Sequence, residues 1–277
     1  MEIGKTNTLH VARQVDFGYY LADDEGNEVL IPAKYVTSPL KPGDVIDVFV
    51  YTDSEDRPIA TTLEPKAKVG DVALLEVADV NDTGAFLKWG VEKDLLVPYR
   101  EQRARMRRGG RYVVYVYLDD VSQRVAATAK LDKYIGNVMP SYKPFAQVSA
   151  IVASRTDLGY KVVVDNLHWG MVYDSELFGR DLEPGQQITA WVRKVRDDGK
   201  IDLTLHSPAA ERADSLGTKI LSRMKQNHGK LDLNDHSDPE LIGSSFGCSK
   251  KDFKKAIGHL LKEGKIAKSG DSFTLLG

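Results

Sequence analysis

Six arginines stand within twelve residues: Arg100, Arg103, Arg105, Arg107, Arg108 and Arg111, against a single acid, Glu101. A guanidinium presents a planar fork of donors that matches two oxygens of a phosphate at once. A second basic cluster covers 249–268, where Lys250, Lys251, Lys254, Lys255, Lys262, Lys265 and Lys268 meet only Asp252 and Glu263. Lysine acts there as a compact point charge. Both clusters suit a polyanion. Charge runs also form ordinary solvated faces, so composition alone leaves two readings open.

An aromatic signal lies beside the first cluster. In Gly84-Ala85-Phe86-Leu87-Lys88-Trp89, strand alternation puts Ala85, Leu87 and Trp89 on one face and Phe86 and Lys88 on the other. The apolar trio is expected inside, which leaves an outward aromatic next to a cation. Tyr20 holds the matching outward position in the first copy, and Lys161 with Val163 in the third. An exposed ring can stack on a base, worth about 1–3 kcal/mol, while a neighbouring cation follows the phosphates. The same rings could instead cover a barrel end or pack on a neighbouring repeat.

The sequence offers little that points to catalysis. The sequence has no Gly-x-x-x-x-Gly-Lys-Ser/Thr and no His-Glu-x-x-His. His10, His168, His206, His228, His236 and His259 are scattered without metal-ligand spacing. Asp119-Asp120 and Asp197-Asp198 fall in hairpin turns, where aspartate bonds nearby backbone amides. No enzyme, metal or cofactor is expected. The lone cysteine, Cys248, rules out a disulfide framework within the chain and reads as structural.

The elements that position these residues repeat three times. The copies begin at Asp16-Phe17-Gly18-Tyr19-Tyr20-Leu21, Asp82-Thr83-Gly84-Ala85-Phe86-Leu87 and Asp157-Leu158-Gly159-Tyr160-Lys161-Val162. From the phrase glycine to a later glycine the distance is 25 residues in the first copy (Gly18 to Gly43) and 26 in the others (Gly84 to Gly110, Gly159 to Gly185). Each copy reads as about five short strands. The fourth (45–51, 112–118, 188–195) is rich in β-branched and aromatic residues, and a polar turn leads to a short fifth (59–63, 125–129, 201–205). Five strands in so small a unit suggest a closed barrel, because closure removes exposed edges. Gly18, Gly84 and Gly159 read as bends or bulges at a barrel corner.

After Ser207-Pro208 the pattern changes to helices. Ala213, Leu216, Ile220, Leu221 and Met224 share one side of a helix over 209–227. Asp238-Pro239 opens a second helix, and Ser249-Lys250-Lys251-Asp252 resembles a capping box for a third. Phe253, Ile257, Leu260 and Leu261 form the third helix's buried stripe, Gly264 ends it, and strands at 265–268 and 272–276 follow. Three helices and a hairpin in this order read as a winged helix-turn-helix. The fold class is thus mainly β: three tandem five-stranded barrels, then a small α+β domain. Boundaries are expected to give 1–65, 66–142, 143–207 and 208–277.

The 277 residues carry a formal net charge of −2, which taken alone does not suit a polyanion partner. By segment the picture differs. Basic against acidic residues number 5 and 12 in 1–65, 13 and 10 in 66–142, 8 and 9 in 143–207, and 12 and 9 in 208–277. The whole-chain figure averages unlike modules. No apolar run reaches the roughly 18–20 residues of a membrane span, and Met1-Glu2-Ile3-Gly4-Lys5 does not read as a signal peptide. The expectation is a cytoplasmic protein with no membrane partner.

The repeats resemble S1-type RNA-binding domains, which are OB-fold barrels. Asp16-Phe17-Gly18-Tyr19-Tyr20-Leu21 is similar to the S1 signature Asp-Phe-Gly-Ala-Phe-Val, and Asp82-Thr83-Gly84-Ala85-Phe86-Leu87 matches more loosely. Leu95-Leu96-Val97-Pro98 resembles the next S1 strand, and Gly199-Lys200-Ile201-Asp202-Leu203-Thr204-Leu205 the closing one. The order of three such units and a winged helix resembles the bacterial conserved virulence factor B family. Asp238-Pro239-Glu240-Leu241-Ile242, Phe246-Gly247-Cys248-Ser249-Lys250 and Leu260-Leu261-Lys262-Glu263-Gly264-Lys265-Ile266 are similar to its C-terminal pattern.

The resemblance implies RNA binding and post-transcriptional regulation without catalysis. It would make Phe17, Tyr20 and Phe86 base contacts, and Arg124 and Lys200 basic contacts from the last strand. The sequence also departs from the S1 pattern. Pro32, Pro98 and Tyr173 stand at the S1 histidine position, Thr83 and Leu158 at the first aromatic, and Lys161 at the second. No unit keeps the full set, so each alone is expected to bind weakly. The acidic first unit is expected to contribute least, as scaffold or protein contact. In the winged helix the third helix is the usual reader; there Lys250, Lys251, Lys254 and Lys255 lie off the buried stripe. Single-stranded RNA is the expected partner. Duplex DNA read by the winged helix, and a protein complex docked on the first barrel, are the alternatives.

Overall fold

A computed structural model describes residues 1–276 except 178–180, 207, 208, 235 and 271, with backbone alone for 209–215. It divides into two compact units, Met1–Asn137 and Val138–Gly277.

The first unit holds two closed barrels. The first barrel is built from β1 (Thr6–Val15), β2 (Gly18–Ala22), β3 (Glu28–Pro32), β4 (Val45–Thr52) and β5 (Pro58–Thr61). The second comprises β6 (Val72–Val80), β7 (Gly84–Lys88), β8 (Leu95–Pro98), β9 (Arg111–Leu118) and β10 (Val125–Thr128). In each, the third strand pairs in parallel with the fifth, and this pairing closes the sheet. The second unit opens with a third barrel of the same order: β11 (Gln147–Thr156), β12 (Gly159–Val164), β13 (His168–Tyr173), β14 (Gln187–Val195) and β15 (Ile201–Thr204).

Alternation explains the barrel cores. Ala85 and Leu87 on β7 are fully buried, Phe86 between them is half-buried, and Lys88 is exposed. β4 departs from this rule, because Val48, Phe49, Val50, Tyr51 and Thr52 are all buried. Val48 and Val50 belong to the first barrel's core. Phe49 and Tyr51 join the core of the second. A strand buried on both faces reads as a continuous apolar run. Trp89, expected in the barrel interior with Ala85 and Leu87, is buried with Phe49 and Tyr51 as its ring partners, at centroid distances of 5.4 and 6.5 Å.

Polar contacts reinforce this junction. Glu92 of the second barrel receives Lys34 Nζ at 2.6 Å and the Tyr35 hydroxyl at 2.8 Å. Asp56 of the first barrel pairs with Arg124 and, at 3.7 Å, with Lys93. Part of the first barrel's acidic excess thus meets cations of the second.

The repeated glycine has a different role from the one expected. The register shift lies on the first strand of each barrel, between Val11 and Arg13, Val77 and Asp79, and Val152 and Ser154. A Cβ at Gly84 would lie 2.3 Å from the Val97 carbonyl oxygen, and Gly18 and Gly159 would meet equivalent carbonyls at 2.1 and 2.2 Å. The position requires glycine because the third strand's backbone crosses too close for a side chain.

The second unit ends with α1 (Ala209–Gln226), β16 (Lys230–Leu231), α2 (Pro239–Phe246), α3 (Lys250–Lys262), β17 (Ile266–Ser269) and β18 (Ser272–Leu275). Asp238 caps α2 by accepting from Glu240 N at 2.8 Å, and Ser249 caps α3 by accepting from Asp252 N at 3.1 Å. Each satisfies an amide that a helix start leaves open. Leu216, Ile220 and Met224 of α1 pack with Phe253, Ile257 and Leu260 of α3. The side chain of Ala213 lies outside the described residues. Leu261, expected in the buried stripe, is 38% exposed; Ala256 is buried in the stripe instead. β16 is too short for the sequence pattern to show, since two residues carry no periodicity. It adds a third strand to the hairpin. Among the described residues, no helix is long and apolar enough to cross a membrane.

Candidate nucleic-acid interface

Strand register fixes one lateral row on the outer face of each barrel. In the second barrel Phe86 pairs with Leu96, and Leu96 with Ala126. The row is wholly apolar and ends in a small side chain. The first barrel's row is Tyr20, Leu30 and Ile59. There the Arg13 guanidinium lies 3.8 Å over the Tyr20 ring and pairs with Glu28. The third barrel's row is Lys161, Met171 and Asp202. Lys161 Nζ sits 3.5 Å over the Trp169 ring, and Asp202 pairs with Arg196 at 2.7 Å. Among the described residues, one face of the three thus leaves its aromatic without a cation over the ring.

That face lies in a groove of about 740 Å³. Phe86, Leu96 and Ala126 line it, with Trp89 and Tyr51 from the barrel junction and Lys93, Arg100 and Arg124 as its cations. Two ordered loops bound it. Asn81 Oδ1 accepts from Thr83 N at 2.8 Å and Thr83 Oγ1 at 2.7 Å, while the Tyr99 hydroxyl donates to Asn81 O at 2.6 Å. In the β9–β10 hairpin, Asp119 Oδ1 accepts from Val121 N, Ser122 N and Ser122 Oγ at 3.1, 2.8 and 3.0 Å. The Asp119-Asp120 pair is thus built into a turn. OB-fold barrels bind oligonucleotides on this combination, the second and third strands with the loops after strands one and four.

The arginine segment divides in space. Arg100 joins the groove, 3.9 Å from Asp119. Arg103 pairs with Asp132. The Arg105 guanidinium stacks 3.8 Å over the Tyr99 ring. Arg107 and Arg108 are exposed, with no ion pair among the described residues. Lys88 donates to Glu76 at 2.8 Å, and Arg111 stands opposite Glu76 in the β6–β9 register. Lys88 holds the Glu76 carboxyl below its ordinary range. Glu101, the segment's one acid, turns inward and is buried. It receives Lys133 Nζ at 2.7 Å and Thr128 Oγ1 at 2.8 Å. Burial opposes its charge, but these partners outweigh it and hold its carboxyl below the usual range. The segment's outward face is cationic for that reason. Surface ion pairs like those of Arg103 and Lys88 contribute little, so a phosphate can exchange for the carboxylate at little cost.

Elsewhere the expected residues are placed less favourably. Phe17 is 59% exposed in the turn before β2. Lys200 pairs with Asp198 at 2.8 Å. Arg124, though one of the groove's cations, is turned to Asp56 across the barrel junction. In the winged helix, Lys250 Nζ donates to Ser237 O at 2.8 Å and anchors the start of α3. Lys251, Lys254 and Lys255 are exposed, and their spacing sets them on one helix face. Cys248 is buried, which pushes its thiol up to about 11 and keeps it protonated at neutral pH. Sequence reasoning missed Lys93, Tyr51 and Trp89 as groove residues. Tyr51 reaches Trp89 and Lys93 only because two barrels pack together, and no local pattern carries that.

An S1 domain model matches residues 3–63 and 69–130, and a CvfB-like winged helix domain model matches 218–275. A Bacillus subtilis protein described as uncharacterized protein YitL is 30% identical over 286 residues, covering 96% of this chain and 91% of that one. Conserved virulence factor B of Staphylococcus aureus is 24% identical over 291 residues, covering 96% and 93%. A solved Streptococcus pneumoniae structure, described as a multidomain protein with nucleic acid binding domains, is 24% identical. It covers 99% of this chain and 98% of that one at a TM-score of 0.42. Both matched domain types are nucleic-acid-binding modules rather than catalytic ones, and they indicate nucleic-acid binding by this chain.

Proposed function

The chain belongs to the conserved virulence factor B family, and from that premise we propose that it is a cytoplasmic post-transcriptional regulator that binds single-stranded RNA. The observation that carries this reading is the uncovered Phe86–Leu96–Ala126 row in a groove flanked by cations. A flat apolar row accepts a base by stacking, whereas a paired duplex hides its base faces. Four modules, 1–65, 66–142, 143–207 and 208–277, divide the work. The second supplies stacking at Phe86 and charge at Arg100, Arg107 and Arg108. The fourth supplies Lys251, Lys254 and Lys255. The first supports the second across the Phe49–Trp89 contact, and the third binds weakly.

Fluorescence anisotropy with a labelled pyrimidine-rich RNA tests this reading. Binding is expected to fall steeply with salt, as release of counterions requires. Unlabelled RNA of matched sequence is expected to compete far better than duplex DNA. A flat salt dependence would remove the electrostatic part. The exposed lysine face of α3 favours one second reading, a duplex-DNA regulator, and stronger competition by duplex would select it.

A further inference from the structure

Asp56 lies in the β4–β5 hairpin with a left-handed backbone, φ 66°. Its carboxylate leaves the first barrel and pairs with Arg124 and Lys93 of the second. Both cations line the groove beside Phe86. The other charged groups there are Arg100, which stands by Asp119, and Asp94. Three cations thus face three carboxylates once Asp56 is included. The groove has a floor suited to a base and a rim that is electrically balanced from within the protein.

We infer that Lys93 and Arg124 form a phosphate subsite of this groove, and that Asp56 occupies it in the unbound chain as an internal competitor. The inference rests on the RNA-binding reading above. A carboxylate and a phosphodiester offer a guanidinium the same pair of oxygens. The Asp56–Arg124 pair is open to solvent, with side chains 41% and 50% exposed, so an incoming phosphate can reach it. Exchanging one oxyanion for another gains little by itself. A ligand that also stacks a base on Phe86 gains that contact in addition. Asp56 thereby selects nucleotide chains over anions that carry no base.

The test measures binding of fluorescein-labelled oligouridylate to the full chain at low salt. Four proteins are compared: wild type, D56N, K93A/R124A, and the triple variant. Asparagine tolerates the left-handed backbone, and a thermal melt confirms that D56N folds. D56N is expected to bind about two- to fivefold tighter, the worth of one half-exposed ion pair. In the K93A/R124A background the same substitution is expected to change nothing. An unchanged or weakened D56N overturns the inference and makes Asp56 a tie between barrels. A gain that survives without Lys93 and Arg124 overturns it as well. Absence of RNA binding by both wild type and D56N overturns the functional reading itself. Binding by wild type with no gain in D56N overturns the inference alone.

Discussion

The indole of Trp89 meets the ring of Phe49 edge-on, with centroids 5.4 Å apart, and so joins two barrels that the repeat pattern presents as separate. Its Nε1 donates to Lys93 O at 2.6 Å, so the same ring holds the turn that carries a groove cation. Removing a fully buried tryptophan costs about 3–5 kcal/mol. Trp89→Ala is expected to destabilise the Met1–Asn137 unit by about that amount in urea unfolding. Phe49→Ala is expected to act on the same contact, so the two losses should not add; aromatic pairs couple by about 0.5–1.5 kcal/mol in a double-mutant cycle. Full additivity would mean that the contact joins nothing.

Phe86 is the one half-buried aromatic among the three outer rows that no described cation covers. Phe86→Ala is expected to weaken RNA binding about ten- to a hundredfold, the worth of one stacked base. Tyr20→Ala is expected to have a smaller effect, because Arg13 already occupies that ring's face. Anisotropy titrations of both variants decide the ranking. Equal losses would place the contact on both barrels and remove the second barrel's primacy.

The repeats were legible because a strand period of two shows in any half-buried sheet, as at Ala85, Phe86 and Leu87. The cap at Ser249 was equally visible, since it acts on an amide three residues away. The site was legible in part. Phe86 and Arg100 could be named from residue type and spacing, and both line the groove. The pairing of Arg124 with Asp56 could not, because those residues are 68 apart in sequence and meet only across packed barrels. The glycine role is hidden in the sequence for a related reason. A bulge and a close strand crossing demand the same residue, and only the approach of Gly84 to the Val97 carbonyl separates them.

Cys248 gives a pH prediction. Burial, with Asp252 nearby as a lesser cause, raises its folded value to about 11 from an ordinary value of 9.0. Below pH 9 the thiol is protonated in both folded and unfolded chains, and the group is neutral to stability. As pH rises from about 9 to about 11 the unfolded chain loses this proton while the folded one keeps it. Stability of the C-terminal domain is therefore expected to fall across that window. Cys248→Ala should flatten the fall, measured by urea unfolding at pH 8 and pH 10. The native thiol should also react slowly with iodoacetamide at pH 8. Rapid alkylation of the folded protein would contradict the burial argument.

The α3 lysines separate the two partner classes. Lys250 is committed to Ser237 O at the start of the helix, whereas Lys251, Lys254 and Lys255 project to solvent. If they contact phosphates of single-stranded RNA, replacing all three with alanine lowers the slope of log affinity against log salt by about 0.7 per lost contact; for duplex DNA the figure is about 0.9. The fold should survive, because the buried stripe of Phe253, Ala256, Ile257 and Leu260 is untouched. The triple variant is expected to bind RNA more weakly at low salt, with a shallower slope, while the effect of Phe86→Ala persists in its background. Loss of duplex binding with RNA binding unchanged would instead assign α3 to DNA and leave the Phe86 groove as the RNA site.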